Sequence, residues 1–165
     1  MFMRIIIISF LLISSVIADE IFGTPKIIDG DTVHIANYKI RLEGIDAPEM
    51  KQQCKKELLK ISSIVGFTFY KDYYCGKISK EKLINKVKRS KIKCLFSSKD
   101  RYQRYIATCF KDELNLNQWM VRNGYAIAYR RYSKKYITDE DFAKKNKLGL
   151  WQGKFIEPEK WRKLN

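Results

Sequence analysis

The chain has 165 residues, 45% of them hydrophobic, which fits one globular domain with an ordinary core. Its formal charge of +15 favours polyanionic partners, nucleic acid first and an anionic membrane surface second. The single histidine, His34, falls in an expected strand, and its isolation argues against Ser-His-Asp hydrolysis and against histidine-built metal sites.

At the start of the chain Arg4 precedes an uncharged apolar run, Ile5 to Ile17, that ends in Val16-Ile17-Ala18. The run is shorter than the roughly 18–20 residues that span a bilayer. A positive start, a short apolar run and compact residues at the cleavage positions predict a signal peptide over residues 1–18. The expectation is cleavage after Ala18, a single mature domain over 19–165 with a core of about 24–151 and a basic, aromatic tail over 152–165, and export as a secreted or periplasmic protein. No later segment is apolar enough to cross a membrane.

From Ile21 to Ile45 the pattern is β-structure. Asp29-Gly30 marks a tight turn between two β-rich runs, Asn37-Tyr38 begins another turn, and KIRLEGI follows as a third strand. Pro48 then breaks regular structure. Lys77 to Lys88 reads as a basic helix with Ile78, Ile84 and Val87 inward. SKIKCLF and RYIATCF are two more strands around the loop from Ser98 to Gln103. Asn115 can cap a helix that carries Leu116, Trp119 and Met120 inward, with Gly124 at its stop. Thr138 and Asp141 suggest a capping box for a last helix, ending before Gly149. Strands first and helices after them point to a small barrel with helices packed at one side.

An exported chain with four cysteines is expected to hold disulfides. Cys54, Cys75, Cys94 and Cys109 lack the close C-x-x-C pairs of zinc sites. Three pairings are open. Two β-like runs carry Cys94 and Cys109, which favours Cys94–Cys109 and leaves Cys54–Cys75.

Three pieces concentrate chemistry: Asp29-Gly30-Asp31-Thr32, Arg41 to Glu49, and Asp100 to Arg104. Asp29, Asp31, Glu43, Asp46 and Glu49 gather acid in an otherwise basic chain. Carboxylates suit a hard cation such as calcium, and arginines present planar forks that match phosphate. Together they are the parts of metal-assisted phosphodiester cleavage, although surface ion pairs and turn-forming aspartates would read the same way by composition.

Order and spacing add a resemblance to the staphylococcal nuclease (thermonuclease) family, whose members carry I-D-G-D-T, then R-L-x-x-x-D-x-P-E, then D-x-Y-G-R. Here the same order runs Ile28 to Thr32, Arg41 to Glu49 and Asp100 to Arg104, and the likeness extends from about Thr24 to Trp151. The resemblance implies an α+β fold, a five-stranded OB-type barrel with three helices. It implies a calcium-dependent endonuclease, a phosphodiesterase acting on DNA and RNA that leaves 3′-phosphate products, with a monomer as the default.

Position by position, the resemblance makes Asp31 and Asp46 the carboxylate ligands of Ca2+, and Ala47 a ligand through its backbone carbonyl. Glu49 positions and deprotonates the attacking water, and Arg41 and Arg104 clamp the phosphate. Tyr102 lines the nucleotide pocket, while Tyr129 and Tyr132 fall near base-stacking tyrosines. Gln103 departs from the family's glycine, and a positive φ there would strain the turn by about 1–2 kcal/mol. The competing reading is a catalytically weak nuclease-fold protein that only binds nucleic acid. A third is a basic protein held on anionic membranes by its lysines and aromatics.

Overall fold

The computed structural model describes residues 19–61 and 67–165; the expected signal peptide lies outside them. Asp19–Gly23 (β1), Lys26–Ile27 (β2), Thr32–Ile35 (β3), Tyr38–Leu42 (β4) and Ile45–Asp46 (β5) open the chain. Two longer strands follow, Gln53–Ile61 (β6) and Phe67–Tyr74 (β7), and then the helix Cys75–Val87 (α1). Next come Ile92–Lys99 (β8), Tyr105–Lys111 (β9) and Leu114–Asn115 (β10), the helix Leu116–Arg122 (α2) and Ile127–Ala128 (β11). Ile137–Lys145 (α3), a 3-10 turn at Gly149–Gln152, Gly153–Lys154 (β12) and Pro158–Leu164 (α4) end it.

The main sheet runs β1-β8-β9-β4-β3-β2, with β10 also on β9, and it curls into an OB-like half-barrel. Its pairs are antiparallel except β4 with β9, which run parallel. Alternating side chains of these strands (Val33, Ile35, Ile40 and Leu42) meet Leu83 and Val87 of α1 and Leu116, Met120 and Val121 of α2 in one core. A smaller cluster of Cys54, Cys75, Ile127 and Leu150 lies under Tyr73, Trp151 and Phe155. It roots the ribbon of β6 and β7 and the tail to the barrel. Disulfides join Cys54 to Cys75 and Cys94 to Cys109, the latter pair directly opposite each other on β8 and β9.

Local expectations hold at α2 and need correction in α1, α3 and the tail. In α1 the buried stripe is Ser79, Leu83 and Val87, at i, i+4 and i+8, while Ile78 and Ile84 are exposed. Asn115 caps α2 as its side chain accepts from the Gln118 N–H, and Gly124 takes the left-handed φ of +70° that stops it. α3 starts a residue before Thr138 and has no side-chain cap. Its Asp139 and Glu140 turn inward instead, to Arg122 and Arg130. The described residues hold four α-helices rather than three, because the tail folds into α4. No described helix is long and apolar enough to cross a membrane.

Candidate active site

The turn before β3 starts the site. The Asp31 N–H donates to Asp29 Oδ1 at 3.0 Å, a local bond that closes the turn around Gly30. A Cβ at Gly30 would lie 2.0 Å from Ser79 Oγ of α1 and 2.7 Å from the Ala47 Cβ, so only glycine permits this packing. Gly76 does the same for the next acid: a Cβ there would sit 1.9 Å from the Glu49 carbonyl oxygen. Both glycines press α1 against the segments that carry the carboxylates.

Asp31 lies just before β3, Arg41 sits on β4 opposite Thr32, and Asp46 ends β5. Adjacent strands thus bring the first acid and the arginine together. The Arg41 guanidinium pairs with Asp31 Oδ1 through Nη1 and with Asp46 Oδ1 at 3.0 Å through Nη2. The other Asp31 oxygen accepts from the Ala47 N–H at 2.7 Å. Asp46 is fully buried and Asp31 is nearly so.

Burial sets the electrostatics. It pushes the Asp46 carboxyl above the ordinary carboxylate range, against the pull of Arg162 and Arg41. Burial likewise raises Asp29, opposed by Arg41, Thr32 and, more weakly, Arg104. Arg41 is held below the usual guanidinium value by burial, with Asp46 pulling it up and Arg104 pushing it further down. Arg104 is therefore close enough to feel this cluster, but its side chain is held elsewhere. Its Nε and Nη2 grip Asp100 Oδ2 at 2.8 and 2.7 Å, while Tyr102 and Arg104 donate their backbone N–H groups to Asp100 Oδ1.

The structure joins Asp31, Arg41, Asp46 and Glu49 into one chain of ion pairs, and the link to Glu49 is a residue that the sequence motifs did not mark. Arg162 of α4 reaches Asp46 Oδ1 at 3.0 Å and Glu49 Oε1 at 2.9 Å. Three further contacts fix the approach of α4. Buried Gln52 donates to the Ile156 carbonyl at 2.7 Å, Gln52 also accepts from the Glu49 N–H, and Arg131 pairs with Glu159 at 3.0 Å. A signal for α4 does exist in the sequence: Pro158 at the first helical turn, Glu159 beside it, and Arg162 and Lys163 in the last turn.

The tyrosines form two groups. Tyr102 is 62% exposed and stacks loosely on Arg101 and Arg104, at 4.8 and 5.4 Å from ring centre to guanidinium. Tyr129 and Tyr132 meet edge to face at 4.8 Å. The Tyr129 N–H donates to the Gly44 carbonyl, which anchors the pair beside β5. Burial, then Asp46 and Glu159, raise the Tyr129 hydroxyl.

The donors available to an ion are hard oxygens, without thiolate or imidazole, and Asp31 and Asp46 already share one cationic group. That chemistry fits calcium. Among the described residues no three His, Cys, Asp or Glu side chains gather as a metal cage, so such an ion would complete its shell with backbone oxygen and water.

Comparison with known proteins agrees with the fold. The family model described as staphylococcal nuclease homologue matches residues 39–153, and the chain belongs to this family. It is 34% identical over 138 residues to the succinoglycan biosynthesis protein ExoI of Rhizobium meliloti, covering 82% of this chain and 66% of that protein, just under two thirds of its length. An uncharacterized endonuclease of Haemophilus influenzae is 32% identical over 146 residues, with 84% of this chain and 70% of its own covered. A micrococcal nuclease of Shigella flexneri is 28% identical over 158 residues, with 85% and 79% covered. The family match and the two nuclease-named relatives support a nuclease, a hydrolase acting on nucleic acid.

Proposed function

We propose that the protein is an exported, calcium-dependent endonuclease that hydrolyses phosphodiester bonds of DNA and RNA to 3′-phosphate products. The observation that carries this reading is the Arg41 guanidinium lodged between buried Asp31 and Asp46, with Glu49 tied to the same cluster through Arg162. Asp31, Asp46 and the Ala47 carbonyl would hold the ion. When bound, calcium would neutralise charge on a nonbridging phosphate oxygen.

The remaining roles belong to side chains. Glu49, about one third exposed, holds the attacking water and takes its proton. Arg41 turns a planar, permanently charged fork toward the phosphate, where it stabilises charge that grows in the transition state. Arg104 is the second fork; Asp100 holds it in place near Arg41 until substrate competes for it. Tyr102 lies beside Arg104, and Tyr129 and Tyr132 offer ring faces to bases. The two disulfides suit an oxidising compartment outside the cytoplasm.

Incubating residues 19–165 with plasmid DNA and with RNA, in calcium or in chelator, tests the reading. Cleavage only with calcium is the expected result. A gel shift without cleavage would instead select the binding protein.

A further inference from the structure

Beyond the site carboxylates, an open cleft of about 510 Å3 lies between the Glu49 segment and α4, lined by Glu49, Lys51, Trp161, Arg162 and Asn165. Its volume is that of a small-ligand pocket. Its walls combine one broad aromatic face, two cations and an amide. Glu49 itself lines the cleft, so the cleft adjoins the residue proposed to handle water. Lys51 is exposed and has no ion pair among the described residues. Arg162 is 34% exposed and keeps its guanidinium between Asp46 and Glu49 on the same side.

We infer that this cleft is a second nucleotide subsite, which holds the single strand on the α4 side of the scissile phosphate. The inference rests on the nuclease reading and deepens it. Trp161 stacks the base, as aromatic faces do in sequence-tolerant binding of single strands. Lys51 takes the next phosphate as a point charge, and Arg162 marks the boundary with the cleavage centre. Tyr129 and Tyr132 meet edge to face, and Arg131 between them in sequence pairs with Glu159 of α4. The Arg162 bridge is what keeps α4, and with it the subsite, in register with the centre.

The test uses labelled pentathymidylate and fluorescence anisotropy in chelator, where binding is read without turnover, across a series of salt concentrations. Trp161→Ala weakens binding roughly 5- to 100-fold with an unchanged salt slope, and Trp161→Phe recovers most of the loss. Lys51→Ala lowers the salt slope by about one, the mark of one lost phosphate contact. Wild-type affinity in Trp161→Ala, or a loss that Trp161→Phe does not recover at all, would overturn the subsite. Cleavage with calcium is read separately. A wild type that binds through Trp161 yet never cleaves would sink the nuclease reading and leave the subsite standing. A wild type that cleaves while Trp161→Ala binds as well as it does would sink the subsite alone.

Discussion

Arg162 and Asp46 stand 116 residues apart in the chain and are joined by an ion-pair contact of 3.0 Å and a hydrogen bond of 3.1 Å. Asp46 is fully buried, so its charge depends on Arg41 and Arg162 for compensation. Arg162→Ala should therefore destabilise the fold by about 1–2 kcal/mol, the size of a lost charge-assisted hydrogen bond at a half-open site. Denaturant midpoints measure this. Arg131→Ala, which breaks an exposed pair with Glu159 and a loose contact with the Tyr132 ring, should lose clearly less. Equal losses would mean that α4 is held by packing and not by the Asp46 contact.

Gln103 has a φ of +61°, in the left-handed region that disfavours side chains with a Cβ. The turn is nevertheless held by the Gln103 N–H bond to the Asp100 carbonyl and by the four contacts that Asp100 makes with Tyr102 and Arg104. Gln103→Gly should stabilise the protein by about 0.5–1 kcal/mol, since relief of strain is offset in part by greater freedom of the unfolded chain. Thermal unfolding of the two proteins checks the sign.

Much of this site was legible because its parts are close in sequence. Asp-Gly at 29–30 signals the turn, and Arg41 and Asp46 follow on β4 and β5, the next strands in the chain, only five residues apart, so short-range pattern brings them close. Arg162 was not legible from those motifs, because its contacts span more than a hundred residues and its segment reads as a charged tail. The inward face of α1 departs from the apolar pattern for a related reason. Ser79 interrupts the apolar stripe with Leu83 and Val87, while Ile78 and Ile84 stand out as hydrophobic yet face solvent. Ser79 is inside because its hydroxyl donates to the Tyr125 carbonyl at 2.7 Å. The ribbon of β6 and β7 had weak patterning because much of it is exposed, and exposed strands carry little alternation.

Acid should weaken the Arg104 anchor in a defined window. Burial alone would raise Asp100, but the Arg104 backbone and guanidinium bonds, with the Tyr102 N–H, hold its carboxyl below the ordinary value of 3.8. A depressed carboxylate contributes stability that is present above its unfolded value and lost as pH falls through the folded one. The stability gap between wild type and Asp100→Asn should thus stay constant from neutral pH to about pH 5 and close as the pH falls below about 4. A gap that does not narrow at all as the pH falls below about 4 would remove the ionic part of the anchor.

Cys94 and Cys109 are fully buried partners on β8 and β9, 15 residues apart. Replacing both with alanine should cost about 3 kcal/mol in the chain-entropy account, read from denaturant midpoints under oxidising conditions. If both variant and wild type unfold at the same denaturant concentration, the bond contributes nothing to the barrel.

Arg104→Lys should lose most of the cleavage rate, on the order of 10²–10³-fold, because an ammonium cannot replace a planar fork at phosphate. Binding of single strands should fall far less. Near-normal turnover would take Arg104 out of the phosphate clamp.

The most direct measurement compares wild type with Asp31→Ala for cleavage of single-stranded DNA, each in calcium and in chelator. Wild type should show calcium-stimulated cleavage that Asp31→Ala abolishes, while the variant still folds around its two disulfides. Cleavage by wild type at the same rate in chelator, or undiminished calcium stimulation in Asp31→Ala, would contradict this expectation.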